Sequence, residues 1–254
     1  MRYRLDIAYH GGGFHGWQKQ PGPRTVQGEL ELWLARLVGV AEPLAVTGAG
    51  RTDAGVHAEQ MVAHFDCEAT LECDILLDRL KAALPDDMAA LALGPAPPDF
   101  HARYSALRKT YEYRLATEKS PFDRDRVWHA PRPFDLRTAQ AAAATVLGRH
   151  DFSGFCRAGS LRENNTCRVT LSSWESLGAE YRFRITADRF LHEMVRLLVG
   201  TMVQIARGGS PVGLMQEIIE RRDVTLCGNA APPHGLTLIA VEYPPAFPPG
   251  DNFG

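Results

Sequence analysis

Apolar and polar residues alternate over 3–9, from Tyr3 to Tyr9, the period of a strand with one buried face. Over 25–38 the period lengthens: Leu30, Trp33, Leu34 and Leu37 share one face of a helix, and Thr25 stands where an N-cap belongs. Strand patterns follow near 44–46 and at 60–65, then a helix over 73–83 and a short strand at 88–93. The first half thus reads β-α-β-β-α-β.

A Pro-rich stretch from Pro95 to Pro98 interrupts the pattern. Beyond it the sequence predicts a strand over 106–116, a helix over 136–147, strands at 168–174 and 181–187, a long helix over 190–206, a helix over 211–220 and a strand at 236–241. The same order recurs with one helix added. This repeat predicts an α+β fold of two similar split β-α-β, RNA-recognition-like halves, 1–104 and 105–254. Their mainly antiparallel sheets are expected to join into one extended central sheet with flanking helices. Sheets of this kind often present an open face to single-stranded RNA, although such an analogy does not define a function.

The chain has 254 residues, 45% of them hydrophobic, enough for a substantial core. Its formal net charge of −2 excludes a uniformly basic nucleic-acid binder, so any polyanion site has to come from local clusters of cations. Only Lys19, Lys81, Lys109 and Lys119 among the 28 basic residues are lysines. Arginine is the better fork for phosphate, but a coding bias toward arginine explains the ratio equally well. Cys67, Cys73, Cys156, Cys167 and Cys227 show no C-x-x-C spacing, which points to neither a disulfide framework nor a zinc site and fits a reducing cytoplasm. The N-terminus lacks a signal-peptide pattern, and no apolar run reaches membrane-spanning length. A cytoplasmic protein without membrane partners is expected.

Four segments offer chemistry. His10-Gly-Gly-Gly-Phe-His-Gly16 contains G-x-G-x-x-G after a strand, but the helix-breaking Gln18 to Pro23 follows, so neither a dinucleotide fold nor a Walker loop fits. A plain flexible turn, or a loop pressing His15, Trp17 and Lys19 against a sugar-phosphate chain, remains. In Gly48-Ala-Gly-Arg-Thr-Asp-Ala-Gly-Val-His57, the Asp53 carboxylate sits among small residues that allow close approach of a substrate. Arg51 nearby would keep it ionised, suited to a nucleophile, while Asp and Gly also build ordinary turns. Alternation places Lys109, Tyr111 and Tyr113 on one strand face, where they serve either base stacking or the core. The 190–206 helix is apolar nearly all round, with a polar stripe of Arg189, His192, Glu193, Arg196, Gly200 and Gln204. A buried Arg196 needs a carboxylate, either Glu193 or a catalytic one.

Three ordered motifs carry a family resemblance: Gly50-Arg-Thr-Asp-Ala-Gly-Val-His57, Phe100-His-Ala-Arg-Tyr-Ser-Ala106 with Tyr111 and Tyr113, and Phe190-Leu-His-Glu-Met-Val-Arg196. Together with Tyr9-His-Gly, Phe14-His-Gly-Trp-Gln18 and Asp151-Phe-Ser-Gly-Phe155 they resemble the bacterial tRNA pseudouridine synthase A family across nearly the whole chain. His10 departs from it, standing where the family usually has Asp.

The resemblance implies an isomerase without metal or nucleotide cofactor, converting uridine to pseudouridine at positions 38, 39 and 40 of the tRNA anticodon stem-loop. It makes Asp53 the nucleophile, attacking ribose C1′ or uracil C6, Tyr111 the stacking and proton-handling residue, and Arg196 the partner of Asp53. Arg51 is expected to replace the flipped nucleotide, with His57, Lys19, Arg24, His101, Arg103 and Lys109 as further substrate-binding residues. A homodimer holding one tRNA across both subunits is also implied. The competing reading is a non-catalytic RNA-binding protein with two RNA-recognition-like halves, and a carboxylate facing phosphates argues against it. An acyl- or phosphoryl-transfer enzyme lacks a supporting nucleophile and base.

Overall fold

The computed structural model of the chain describes residues 1–247. It divides into two units: Met1–Leu107 together with the chain from Leu238, and Arg108–Thr237. The units part between Leu107 and Arg108, beyond the Pro-rich stretch, and the C-terminal strand from Leu238 belongs to the first unit. The last strand runs beside a first-unit strand from Leu238 on, and Leu107 N–H donates to Glu242 O at 2.8 Å.

The first unit contains β1 (Arg2–Tyr9), α1 (Val26–Val38), β2 (Val46–Gly48), β3 (His57–Asp66), α2 (Cys73–Ala83) and β4 (Met88–Ala96). Its sheet runs β4-β1-β3, with β1 antiparallel to both neighbours and β2 antiparallel to β3. Tyr3, Leu5, Ile7 and Tyr9 bury the face that alternation marks out. The other face is buried too, which alternation alone does not predict: Arg4 and Asp6 lie there as a pair, Nε to Oδ1 at 2.7 Å and Nη2 to Oδ2 at 2.9 Å, with Gln60 Nε2 donating to Asp6. Burial of the pair is tolerable because each charge is matched and hydrogen-bonded. The Thr25 hydroxyl accepts from Gly28 N–H and caps α1 as expected. Strand β4 extends through Pro95, since an edge strand needs no N–H there.

The second unit contains β5 (Arg108–Ala116), β6 (Trp128–His129), α3 (Leu136–Ala144), β7 (Gly148–Asp151), β8 (Thr166–Leu177), β9 (Glu180–Ala187), α4 (Met194–Ala206) and α5 (Leu214–Arg221). Then comes β10 (Leu236–Glu242), which crosses the unit boundary at Leu238. The sheet runs β5-β9-β8-β7 with antiparallel pairings, and β6 makes a two-residue parallel pairing with β5. Helices α3 and α4 cover the face bearing Tyr113, Leu115, Trp174, Phe183 and Ile185, and Trp174 Nε1–H points at Met202 Sδ, 3.4 Å away. The opposite face carries matched charges, Glu112 with Arg184 and Glu180 with both Arg114 and Arg182, each at 2.8 Å. Ten strands and five α-helices among the described residues make the class α+β, with mainly antiparallel sheets.

Three helix limits differ from the pattern, that of α5 because it starts at Leu214 rather than at 211. The α3 helix stops at Ala144, where Thr145 turns its hydroxyl onto Ala142 O and the chain enters β7 through Gly148. The α4 helix starts at Met194 rather than at 190, with Glu193 in the left-handed region at φ 61°. Residues 190–193 are drawn into tertiary contacts instead: Phe190 packs edge-on to Tyr111, and the His192 ring bonds Ser160 Oγ. No described helix is long and apolar enough to cross a membrane.

Candidate active site

In the first unit the Asp53 turn is fixed by main chain. Val56 N–H donates to Asp53 O at 3.1 Å, closing a turn whose third residue, Gly55, has φ 82°, a conformation that suits glycine. Three more backbone bonds hold it: Ala49 N–H to Val62 O, Trp17 N–H to Thr52 O and Gly55 N–H to Phe14 O. The Thr52 and Tyr9 hydroxyls meet at 2.8 Å beneath it. The glycine-rich 10–16 loop is therefore no free flexible turn, since its backbone braces the aspartate turn. Trp17 lies in the core at 2% exposure and cannot lie against a sugar-phosphate chain. Asp53 is half-buried and Arg51 exposed.

The remaining first-unit candidates separate by their contacts. His57, 2% exposed, accepts Gly11 N–H on Nδ1 at 3.0 Å, so its geometry suits joining the two loops rather than touching RNA. Arg24 grips Asp87 with both terminal nitrogens at 2.6 and 2.9 Å, reaches Glu29 through Nε and covers Phe14. The Asp87 carboxylate holds its pKa above the usual guanidinium value. Arg24 therefore pins the glycine-rich loop through Phe14. Lys19 pairs with Glu31 at 2.8 Å but stays half-exposed.

At the start of the second motif, His101 Nδ1 accepts the N–H groups of Arg103 and Tyr104, closing a tight turn. Its ring lies 4.7 Å from His64 and 4.3 Å from Tyr104, which is exposed. Burial pushes His64 down to about 4, and burial with nearby Arg2 and Arg103 lowers His101, so both rings are neutral near pH 7.

In the second unit β5 separates its two tyrosines. Tyr113 is fully buried; its hydroxyl donates to Pro232 O at 2.9 Å, and burial raises its pKa. Tyr113 therefore belongs to the core, while Tyr111, also buried at 7% exposure, packs edge-on to Phe190 at 5.1 Å. Lys109 is half-buried on the same strand.

Every α4 residue is buried except Arg196 and Gln204. Arg196 is oriented by an irregular segment that the sequence did not mark: its Nε donates to Ala231 O at 2.8 Å, and Ala231 N–H returns to Arg196 O at 2.9 Å. Its Nη1 stands 3.4 Å from Glu193 Oε1. That segment can cross the helix only because Gly200 has no side chain, since a Cβ there would lie 1.9 Å from Asn229 O. Gly200 was the one visible signal of this crossing.

Asp53, Arg51, His57, Lys19, Arg24, His101 and Arg103 thus lie in the first unit, and Lys109, Tyr111 and Arg196 in the second. Among the described residues no group of three His, Cys, Asp or Glu side chains is arranged to hold a metal ion.

The first unit thus offers a carboxylate on a main-chain-fixed turn, and the second offers an aromatic strand and a clamped arginine. The family described as tRNA pseudouridine synthase matches residues 7–105 and 142–244, and the chain belongs to it. Among its relatives, the tRNA pseudouridine synthase A of Parabacteroides distasonis is 37% identical over 96% of each chain. That of a Methylobacterium species is 42% identical over 97% of this chain and 99% of its own. That of Cereibacter sphaeroides is 40% identical over 96% and 97%.

Proposed function

We propose that this protein isomerises uridine to pseudouridine at positions 38, 39 and 40 of the tRNA anticodon stem-loop, with Asp53 as nucleophile. Family membership supports uridine isomerisation in tRNA; the stem-loop positions and the role of Asp53 are the finer part of the reading. The observation that carries it is the Asp53 turn, which offers a half-buried carboxylate on a rigid main-chain support. Such preorganisation favours attack over solvent exchange.

The reaction breaks the N1–C1′ bond, rotates the freed uracil and forms a C5–C1′ bond. The hydrogen on C5 leaves as a proton, and N1 gains one. Asp53 adds to C1′ or to C6 and is released at the end, so no oxidant or cofactor enters the balance. Tyr111 stacks on the target base, Arg196 supplies the cation for the carboxylate, and the target nucleotide leaves its stack, with Arg51 filling the gap. Lys19, His101, Arg103 and Lys109 contact the RNA, while His57 and Arg24 hold the loops that do so.

Asp53→Asn tests this directly. Tritium release from tRNA carrying uridine tritiated at C5 should fall by about 10³-fold or more, with tRNA binding nearly intact. Release at the wild-type rate would remove Asp53 from the chemistry. Nucleotide-resolution mapping of treated tRNA checks positions 38–40. A cytoplasmic homodimer holding tRNA across both subunits completes the proposal, and sedimentation at the mass of a single chain would sink the dimer.

A further inference from the structure

A groove of about 670 Å³ opens at the outer edge of the second unit's sheet, and none of the residues given roles above lines it. It is lined by Arg149 on β7, Asn164, Thr166 and Arg168 at the start of β8, and Asp188 and Arg189 at the end of β9. The antiparallel register sets Arg149 directly opposite Arg168. Their side chains therefore leave adjacent strands on the same face, where like charges repel.

Both arginines are exposed, and neither guanidinium has a hydrogen-bond or ion-pair partner among the described residues. The nearby carboxylate is bonded to main chain rather than to either guanidinium. Asp188 Oδ1 accepts the backbone N–H of Arg168 at 2.9 Å, and Asp188 N–H answers to Arg168 O. Arg189 reaches only the carbonyl of Asn164, at 3.3 Å. Three cations against one carboxylate leave two positive charges unbalanced. Asn164 Oδ1 is occupied by Thr166 N–H, so its amide NH2 and the Thr166 hydroxyl remain as donors. Elsewhere on this sheet the arginines Arg114, Arg182 and Arg184 are each matched to glutamates. The unmatched ones collect in the groove.

We propose that this groove binds backbone phosphates of the substrate RNA strand flanking the target nucleotide; the inference rests on the tRNA reading above. Its placement suits that task. Arg149 and Arg168 leave β7 and β8 on the sheet face opposite to Tyr111, so the link to that tyrosine runs through the segment that follows β9. Arg189 is followed directly by Phe190, whose ring packs against Tyr111. The groove and the base-stacking tyrosine are thus linked through one short segment, so a strand held at the arginines is registered relative to Tyr111. Arginines that repel one another when empty gain most from an anion between them.

The test compares the wild type with Arg149→Ser/Arg168→Ser and with Arg149→Lys/Arg168→Lys in binding full-length tRNA over a range of salt. The serine pair should weaken binding by about 10-fold or more at low salt, and its log K against log [salt] plot should be shallower by roughly 1.5. In tritium release the loss should appear in KM rather than kcat. The lysine pair keeps two charges and should keep the wild-type slope. Should the serine pair not fold, ethylation interference on the wild type decides: ethylating phosphates beside the target must weaken binding, and indifference overturns the groove. A serine pair with the wild-type slope, from an enzyme that still isomerises tRNA, overturns the groove alone. A wild type that neither binds nor modifies tRNA overturns the tRNA reading and the groove with it.

Discussion

The Asp53 turn and the Arg196 clamp hold their charged groups by different means. The turn is built from four backbone hydrogen bonds and one left-handed glycine, so the path of its backbone is set by main chain. Arg196 is held the other way. Its guanidinium is aimed by a carbonyl of an irregular segment, by Glu193 and by the empty space at Gly200. Side-chain substitution should therefore spare the first and damage the second.

The largest expected effect of this contrast lies at Gly200. Gly200→Ala puts a Cβ 1.9 Å from Asn229 O, so the 229–231 segment must shift and Ala231 O moves off Arg196. Stability should drop by about 3 kcal/mol, read as a lower denaturant midpoint, with activity falling further than the folded fraction. A variant melting like the wild type would show that the segment yields easily and that the clamp is soft.

Arg196→Lys comes next. An ammonium keeps the charge but cannot donate through Nε to Ala231 O while reaching a carboxylate with its other nitrogens. Single-turnover kcat should fall by about 10²-fold with only a small change in melting temperature. Wild-type kcat would reduce Arg196 to a bare charge and remove the contrast.

Tyr9→Phe should do least. It removes the hydroxyl bonded to Thr52 but leaves the backbone bonds of the turn, so a cost of about 1 kcal/mol in stability and a loss of less than about 10-fold in tritium release are expected. A loss as large as that of Asp53→Asn would mean that the turn leans on side chains after all.

How much was legible beforehand follows the same division. Helix α2 was readable to its last residue because its apolar period, its polar face and its ends agree. Strand β7 was not. Gly148-Arg-His-Asp151 has no alternating apolar face, and only its hydrogen bonds to β8 make it a strand. The two residues of β6 likewise exist as a strand only through pairing with β5. The pattern carried α4 four residues too far because 190–193 has a helical period, which does not encode the pull of Tyr111 on Phe190 or of Ser160 on His192.

Among site residues, Asp53 stood out by its small neighbours and Arg196 by the oddity of a cation on an apolar helix. Assigning Tyr113 to the core and Trp17 to the support of a loop required burial. The contacts of His57 with Gly11 N–H and of Arg24 with Asp87 likewise belong to the tertiary structure.

The sequence by itself determined the α+β order, the repeat, the family motifs and the residues with chemistry to offer, because period and residue type are local properties. Only the tertiary structure decided the return of the last strand to the first unit, the carbonyl that aims Arg196, and the opposition of Arg149 to Arg168. Each of these joins residues distant in sequence through a backbone group or a strand register, and neither leaves a periodic trace along the chain.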